Sequence, residues 1–176
     1  WDVERGIVDA SEGHQVGVVD GKSISLTSSR YPFCSQGEQN DDNSVRSGLT
    51  LVPFDDELNR FLLRLSGIPD GTFELSWGDH VKRFSADRLR EGINLASEFR
   101  ENPFSEPFAV VSEAVARKQA YETQQIKKDF HSDEARTDFE SVVKKTEAIR
   151  QPLANAVAES VRPVTHRLSL RDVTAD

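Results

Sequence analysis

Turn chemistry divides this chain in two. Through about residue 101, short apolar runs are separated by Gly, Pro, Asn and Asp, whereas from Asn102 onward the sequence is glycine-poor and periodic at helical spacing. That division predicts an α+β fold, with a small antiparallel β-sheet or sandwich-like layer followed by a long helical hairpin. The segments are 1–101, β-rich; 102–161, a helical extension; and 162–176, an edge strand or a tail.

Val16, Val18 and Val19, then Asp20-Gly21, then Ile24 and Leu26 read as a hairpin around a dipeptide suited to positive φ. Phe61, Leu63 and Leu65 alternate with Arg60 and Arg64, and Phe73, Leu75 and Trp77 repeat the alternation before Gly78-Asp79 turns the chain toward Val81 and Phe84. Ser85 precedes a single helical turn that ends at Gly92, and Asp55, Asp56 and Glu57 cap a turn or short helix before Leu58. The polar stretch from Gly37 to Ser47 predicts an exposed, mobile loop. Beyond Pro107 a long helix is expected, with Phe108, Val111, Val115, Ile126 and Phe130 near one face and a polar centre near Gln119 and Glu122. A second helix is expected after Ser132, with Phe139, Val142, Ile149 and Leu153 inward and a kink or restart at Pro152.

The net charge of −8 argues against nucleic acid, whose phosphates call for clustered Lys and Arg. The acidity is uneven: residues 1–101 carry 11 basic and 18 acidic side chains, residues 102–176 carry 11 and 12. No run of eighteen apolar residues predicts a membrane span. Cys34 stands alone, so neither a disulfide framework within the chain nor a CxxC site is expected. Translation starts at Met, yet this sequence begins at Trp1 and contains no methionine, which leads to the expectation that an upstream segment has been removed.

Catalytic patterns are missing. His14, His80, His131 and His166 show neither i,i+4 pairing nor an HExxH arrangement, so no metal site is expected. The Gly-x-Ser-x-Gly elbow is absent, as is an SxxK acylation motif with its partners, Gly78-Asp79 is followed by His80 in place of a serine, and no glycine-rich phosphate cradle is present, so no catalytic or cofactor-binding residue is assigned and no cofactor is expected. Arg30, Tyr31 and Trp77 are the candidate ligand or domain contacts. Exposed aromatics beside polar groups stack on sugar rings, although the alternation from Phe73 favours a core position for Trp77.

Several ordered segments carry a resemblance: Arg30-Tyr31-Pro32-Phe33-Cys34, Leu51-Val52-Pro53-Phe54, Leu58-Asn59-Arg60-Phe61, Thr72 to Gly78, Gly92-Ile93-Asn94-Leu95-Ala96 and Lys118-Gln119-Ala120-Tyr121-Glu122-Thr123. Together, from about Ser11 to His131, they resemble the C-terminal region of secreted bacterial SGNH/GDSL-type hydrolases of the kind common in planctomycetes. The resemblance implies an extracellular or periplasmic protein. It also implies a catalytic Gly-Asp-Ser, oxyanion Gly and Asn, and a final Asp-x-x-His, all supplied by a preceding domain. None of those blocks occurs here, since the residues three before the four histidines are Ser11, Trp77, Lys128 and Pro163.

The leading expectation is therefore a non-catalytic accessory region that supports an upstream Ser-His-Asp esterase domain of the same parent protein, acting on an acylated substrate with carbohydrate as a candidate. The chain alone is expected to be inactive. The alternatives are a stand-alone carbohydrate-binding module, with Trp77, Tyr31 and Trp1 as stacking residues, and an interaction scaffold built on the helices between Pro107 and Val161.

Overall fold

A computed structural model describes residues 1–38 and 40–173. The protein is α+β and divides into two compact units, one formed by residues 1–105 together with the segment from Pro163 onward, the other by Glu106–Arg162.

In the first unit, β1 (His14–Asp20) and β2 (Ser23–Ser28) form the expected hairpin, with Gly21 at φ +51° in the turn. Short helices α1 (Val45–Gly48) and α2 (Phe54–Glu57) follow, so the polar stretch from Gly37 already becomes helical at Val45, where the Ser44 hydroxyl accepts from the Ser47 N–H. The three acids of α2 sit at the positive end of its peptide dipoles. Strand β3 covers Leu62–Leu63, shorter than the alternation suggests. Strands β4 (Thr72–Trp77) and β5 (His80–Ser85) make the second hairpin around Gly78, at φ +59°, where an added Cβ would lie 2.8 Å from Pro103. Helix α3 (Ala86–Glu91) is capped by Ser85 and stopped at Gly92, which has φ +108°. Strand β6 (Ile93–Asn94) pairs with β3, and α4 (Leu95–Glu98) follows.

In the second unit, α5 (Ser105–Lys127) begins one residue earlier, at the boundary, and tolerates Pro107 in its first turn. The second helix is broken in two. Ser132 caps α6 (Asp133–Thr137), and Asp138 interrupts it to cap α7 (Phe139–Ser160), which continues through Pro152 without restarting. Val142 is buried as expected, but the other inward residues differ from the sequence expectation, since Phe139, Ile149 and Ile126 are exposed and Gln125 and Thr146 are buried. A polar lock sets this register: the Gln125 amide donates to Thr146 Oγ1 at 3.0 Å and to Glu147 at 3.1 Å, while the Tyr121 hydroxyl donates to the Thr146 carbonyl. Arg150 and Gln125 hold the Glu147 carboxyl down at about 2.

The chain then returns to the first unit as β7 (Val164–Asp172). The expectation of an edge strand or tail is corrected here. The sheet order is β1-β2-β7-β4-β5, so β7 lies at the centre and is antiparallel to both neighbours. Val164, His166, Leu168 and Leu170 alternate with Thr165, Arg167 and Ser169, a half-buried pattern that centres on the apolar face of β2 and β4. Residues 174–176 of the proposed final segment lie outside the described residues. One face of the sheet carries Ile24, Leu26, Phe73, Leu75, Trp77, Leu168 and Leu170, and the core closes over it with Leu63, Leu89, Ile93, Leu95, Phe99 and Phe104. The other face is polar, with Glu74 between Arg83 and Arg171.

Candidate functional site

Strand pairing brings two distant histidines to one serine. Ser28 ends β2 opposite His14 on one side and Val164 on the other, and His166, two residues along β7, reaches it diagonally. The Trp77 indole N–H donates to His166 Nδ1 at 3.0 Å, and His166 Nε2 lies 2.9 Å from Ser28 Oγ, which is 2.8 Å from His14 Nδ1. An indole only donates, so His166 Nδ1 accepts and its hydrogen sits on Nε2, aimed at Ser28. Ser28 accepts that hydrogen bond and passes its own proton to His14 Nδ1. The relay therefore runs Trp77, His166, Ser28, His14, and leaves the His14 hydrogen on Nε2. Burial, with a smaller contribution from the charge of His14, lowers His166 to about 4, which keeps the ring neutral near pH 7. Burial and then Arg30 lower His14.

This order is opposite to that of a catalytic Ser-His pair, in which the imidazole accepts the serine proton and turns its other N–H to a carboxylate. His166 offers Ser28 a proton, its other nitrogen faces an indole, and Ser28 is wholly buried. His14 does accept from Ser28, but an oxygen at 0% exposure cannot reach an acyl carbon.

His14 stands on the wall of a cleft of about 960 Å³ in the first unit. Near it lie Arg30, Tyr31, Asn59, Arg60 and Phe61. Buried Asn59 fixes this end: its Oδ1 accepts from the Phe33 N–H at 2.7 Å, and its amide donates to the Phe33 carbonyl and to Asp55 Oδ1. That pins Tyr31-Pro32-Phe33 beside Asn59-Arg60. Gly13, at φ +90°, leaves room for the Arg30 stem, since a Cβ there would come within 2.5 Å of Arg30 Cγ. The Phe61 ring meets His14 edge-on at 5.1 Å, and Tyr31 meets Phe104 at 5.2 Å. At the other end lie Trp1, Asp9, Ser66 and Glu91. Trp1 is held by the Ser66 N–H on its carbonyl at 2.9 Å, and its indole nitrogen is buried without a partner among the described residues.

Of the contacts expected from sequence, Arg30, Tyr31 and Trp1 line the cleft, whereas Trp77 does not. Its ring is 0% exposed, packed against Phe61, Phe99 and Phe104, so it is core and cannot stack on a sugar. His14, Asn59, Arg60 and His166 were not singled out. Spacing along the chain gives no sign of a pair brought together only by two strand ladders. Cys34 is buried beside Asn102, and burial pushes its thiol up. Among the described residues, no three His, Cys, Asp or Glu converge as metal ligands, and no helix is long and apolar enough to cross a membrane.

No family model and no curated protein matches the chain. A solved structure described as a gut microbial diltiazem-metabolizing enzyme is similar in fold, with a TM-score of 0.65 and 18% sequence identity over 98% of this chain and 48% of that one. The chain thus spans about half the length of that enzyme, and at this identity the likeness is one of fold alone.

Proposed function

We propose that this chain is the non-catalytic accessory region of a larger SGNH-type ester hydrolase that works outside the cytoplasm, its Ser-His-Asp site residing in a domain beyond the present sequence. The observation that carries the reading is the orientation of the buried relay. The serine that touches two imidazoles is sealed from solvent, accepts a hydrogen bond from His166 and donates its own to His14, with no carboxylate behind either ring. Support also comes from the fold likeness to about half of a protein described as an enzyme, which leaves the other half of such a chain for the chemistry. The sequence segments from Arg30 to Thr123 supply the link to ester hydrolysis.

The test is turnover of p-nitrophenyl acetate by the purified chain. The expected rate is that of buffer alone. Turnover that disappears in Ser28→Ala or His14→Gln would sink the reading, because the relay would then be catalytic. A second reading, a ligand-binding module, is favoured by the open cleft beside His14.

A further inference from the structure

Three donors on this cleft, His14, Arg30 and Arg60, have hydrogen-bonding capacity left over. His14 Nε2 carries the hydrogen that the relay denies to Nδ1, and it has no acceptor among the described residues. Arg30 and Arg60 line the same cleft, and neither forms an ion pair or a hydrogen bond among the described residues. Arg64, by contrast, is already spent on the Glu91 carbonyl at 3.1 Å. The apolar faces of Tyr31, Phe61 and Leu62 form walls beside these donors. Toward the other end, the Asp9 and Glu91 carboxylates and the Ser66 hydroxyl provide acceptors, and the Trp1 indole adds a buried N–H without a partner.

We infer that this cleft binds a hydroxylated ring bearing one carboxylate, that is, a uronic-acid sugar. A carboxylate is acceptor-only and planar, and it matches the guanidinium fork with two parallel hydrogen bonds. Asp9 and Glu91 in the same cleft, on a chain of net charge −8, oppose a dianion such as phosphate and leave room for one negative charge. Ring hydroxyls need acceptors as well as donors, which the Asp9 and Glu91 end supplies, while the ring face packs on the aromatic wall. A volume of about 960 Å³ accommodates more than one sugar ring. The site stands on the cleft geometry and does not depend on where an ester-cleaving domain lies.

The experiment is an NMR titration of the whole 176-residue chain with galacturonate, its methyl ester, inorganic phosphate and a glutamate-rich peptide. Galacturonate is expected to shift the amides of His14, Arg30 and Arg60 saturably, and its methyl ester to bind at least tenfold more weakly. Arg30→Gln and Arg60→Gln, both at exposed positions, should each weaken binding about tenfold with an unchanged spectrum elsewhere. Equal binding of the methyl ester, absence of galacturonate binding, preference for phosphate or the peptide, or indifference to both arginine variants would each overturn the inference.

Discussion

His166 is held neutral by its place in the core, and that makes folding depend on acid. Its folded value of about 4 lies below the ordinary 6.5, so between these limits the unfolded chain binds a proton that the folded one refuses. Its contribution is fully present above pH 6.5 and is lost as the pH falls toward 4. From that shift the loss is on the order of 3 kcal/mol. Thermal melts of the protein are expected to fall steadily across this window, and the slope should flatten in His166→Phe even though that variant starts from lower stability. Ser28→Ala removes the link between the rings and leaves a buried N–H on His166 without an acceptor, an expected cost of about 1–3 kcal/mol by denaturant titration. At this scale Arg30 and Tyr31, beside Pro32, were legible as candidate contacts, and both line the cleft. His166 was not, since nothing local in Pro163-Val164-Thr165-His166 indicates that an indole and a hydroxyl await it.

Among the elements, those governed by neighbouring residues were readable and those governed by distant ones were not. Asp20-Gly21 and Gly78-Asp79 placed two hairpins, and Ser85 with Gly92 delimited α3, because each depends on local φ and on a hydroxyl three residues from its partner N–H. The inward face of α7 escaped in part. Apolar periodicity selects Val142, which is buried, but also Phe139 and Ile149, which are exposed, because the buried Gln125 amide draws Thr146 inward. Pro152 remains inside α7, where it has no N–H for the Ala148 carbonyl. Pro152→Ala should therefore stabilise the helical unit, by up to about 3 kcal/mol, and slow amide hydrogen exchange in the turns around it. A melt unchanged by the substitution would mean that α7 has already absorbed the defect.

At the scale of the whole molecule, the helical unit is an insertion into the chain of the β unit, which is completed only by β7. Cutting the chain after Arg162 would strip two strand ladders from the middle of the sheet and remove His166, Leu168 and Leu170 from its core. Each buried leucine alone contributes about 1.5–3 kcal/mol, and a domain of this kind has about 5–15 kcal/mol in total. The truncated chain is expected to be unfolded by circular dichroism. Replacing 106–162 with a short Gly/Ser linker should have the opposite result. Within the β unit the Phe104 ring already lies 5.0 Å from the His166 ring, so a few residues suffice to join Ser105 to Pro163. Loop closure costs little extra with length, and the sheet keeps every ladder. The excised protein should therefore melt cooperatively and retain the hydrogen-bonded signals of His14 and His166; failure of this version, with the truncation folding instead, would show that β7 is not the strand on which the sheet depends.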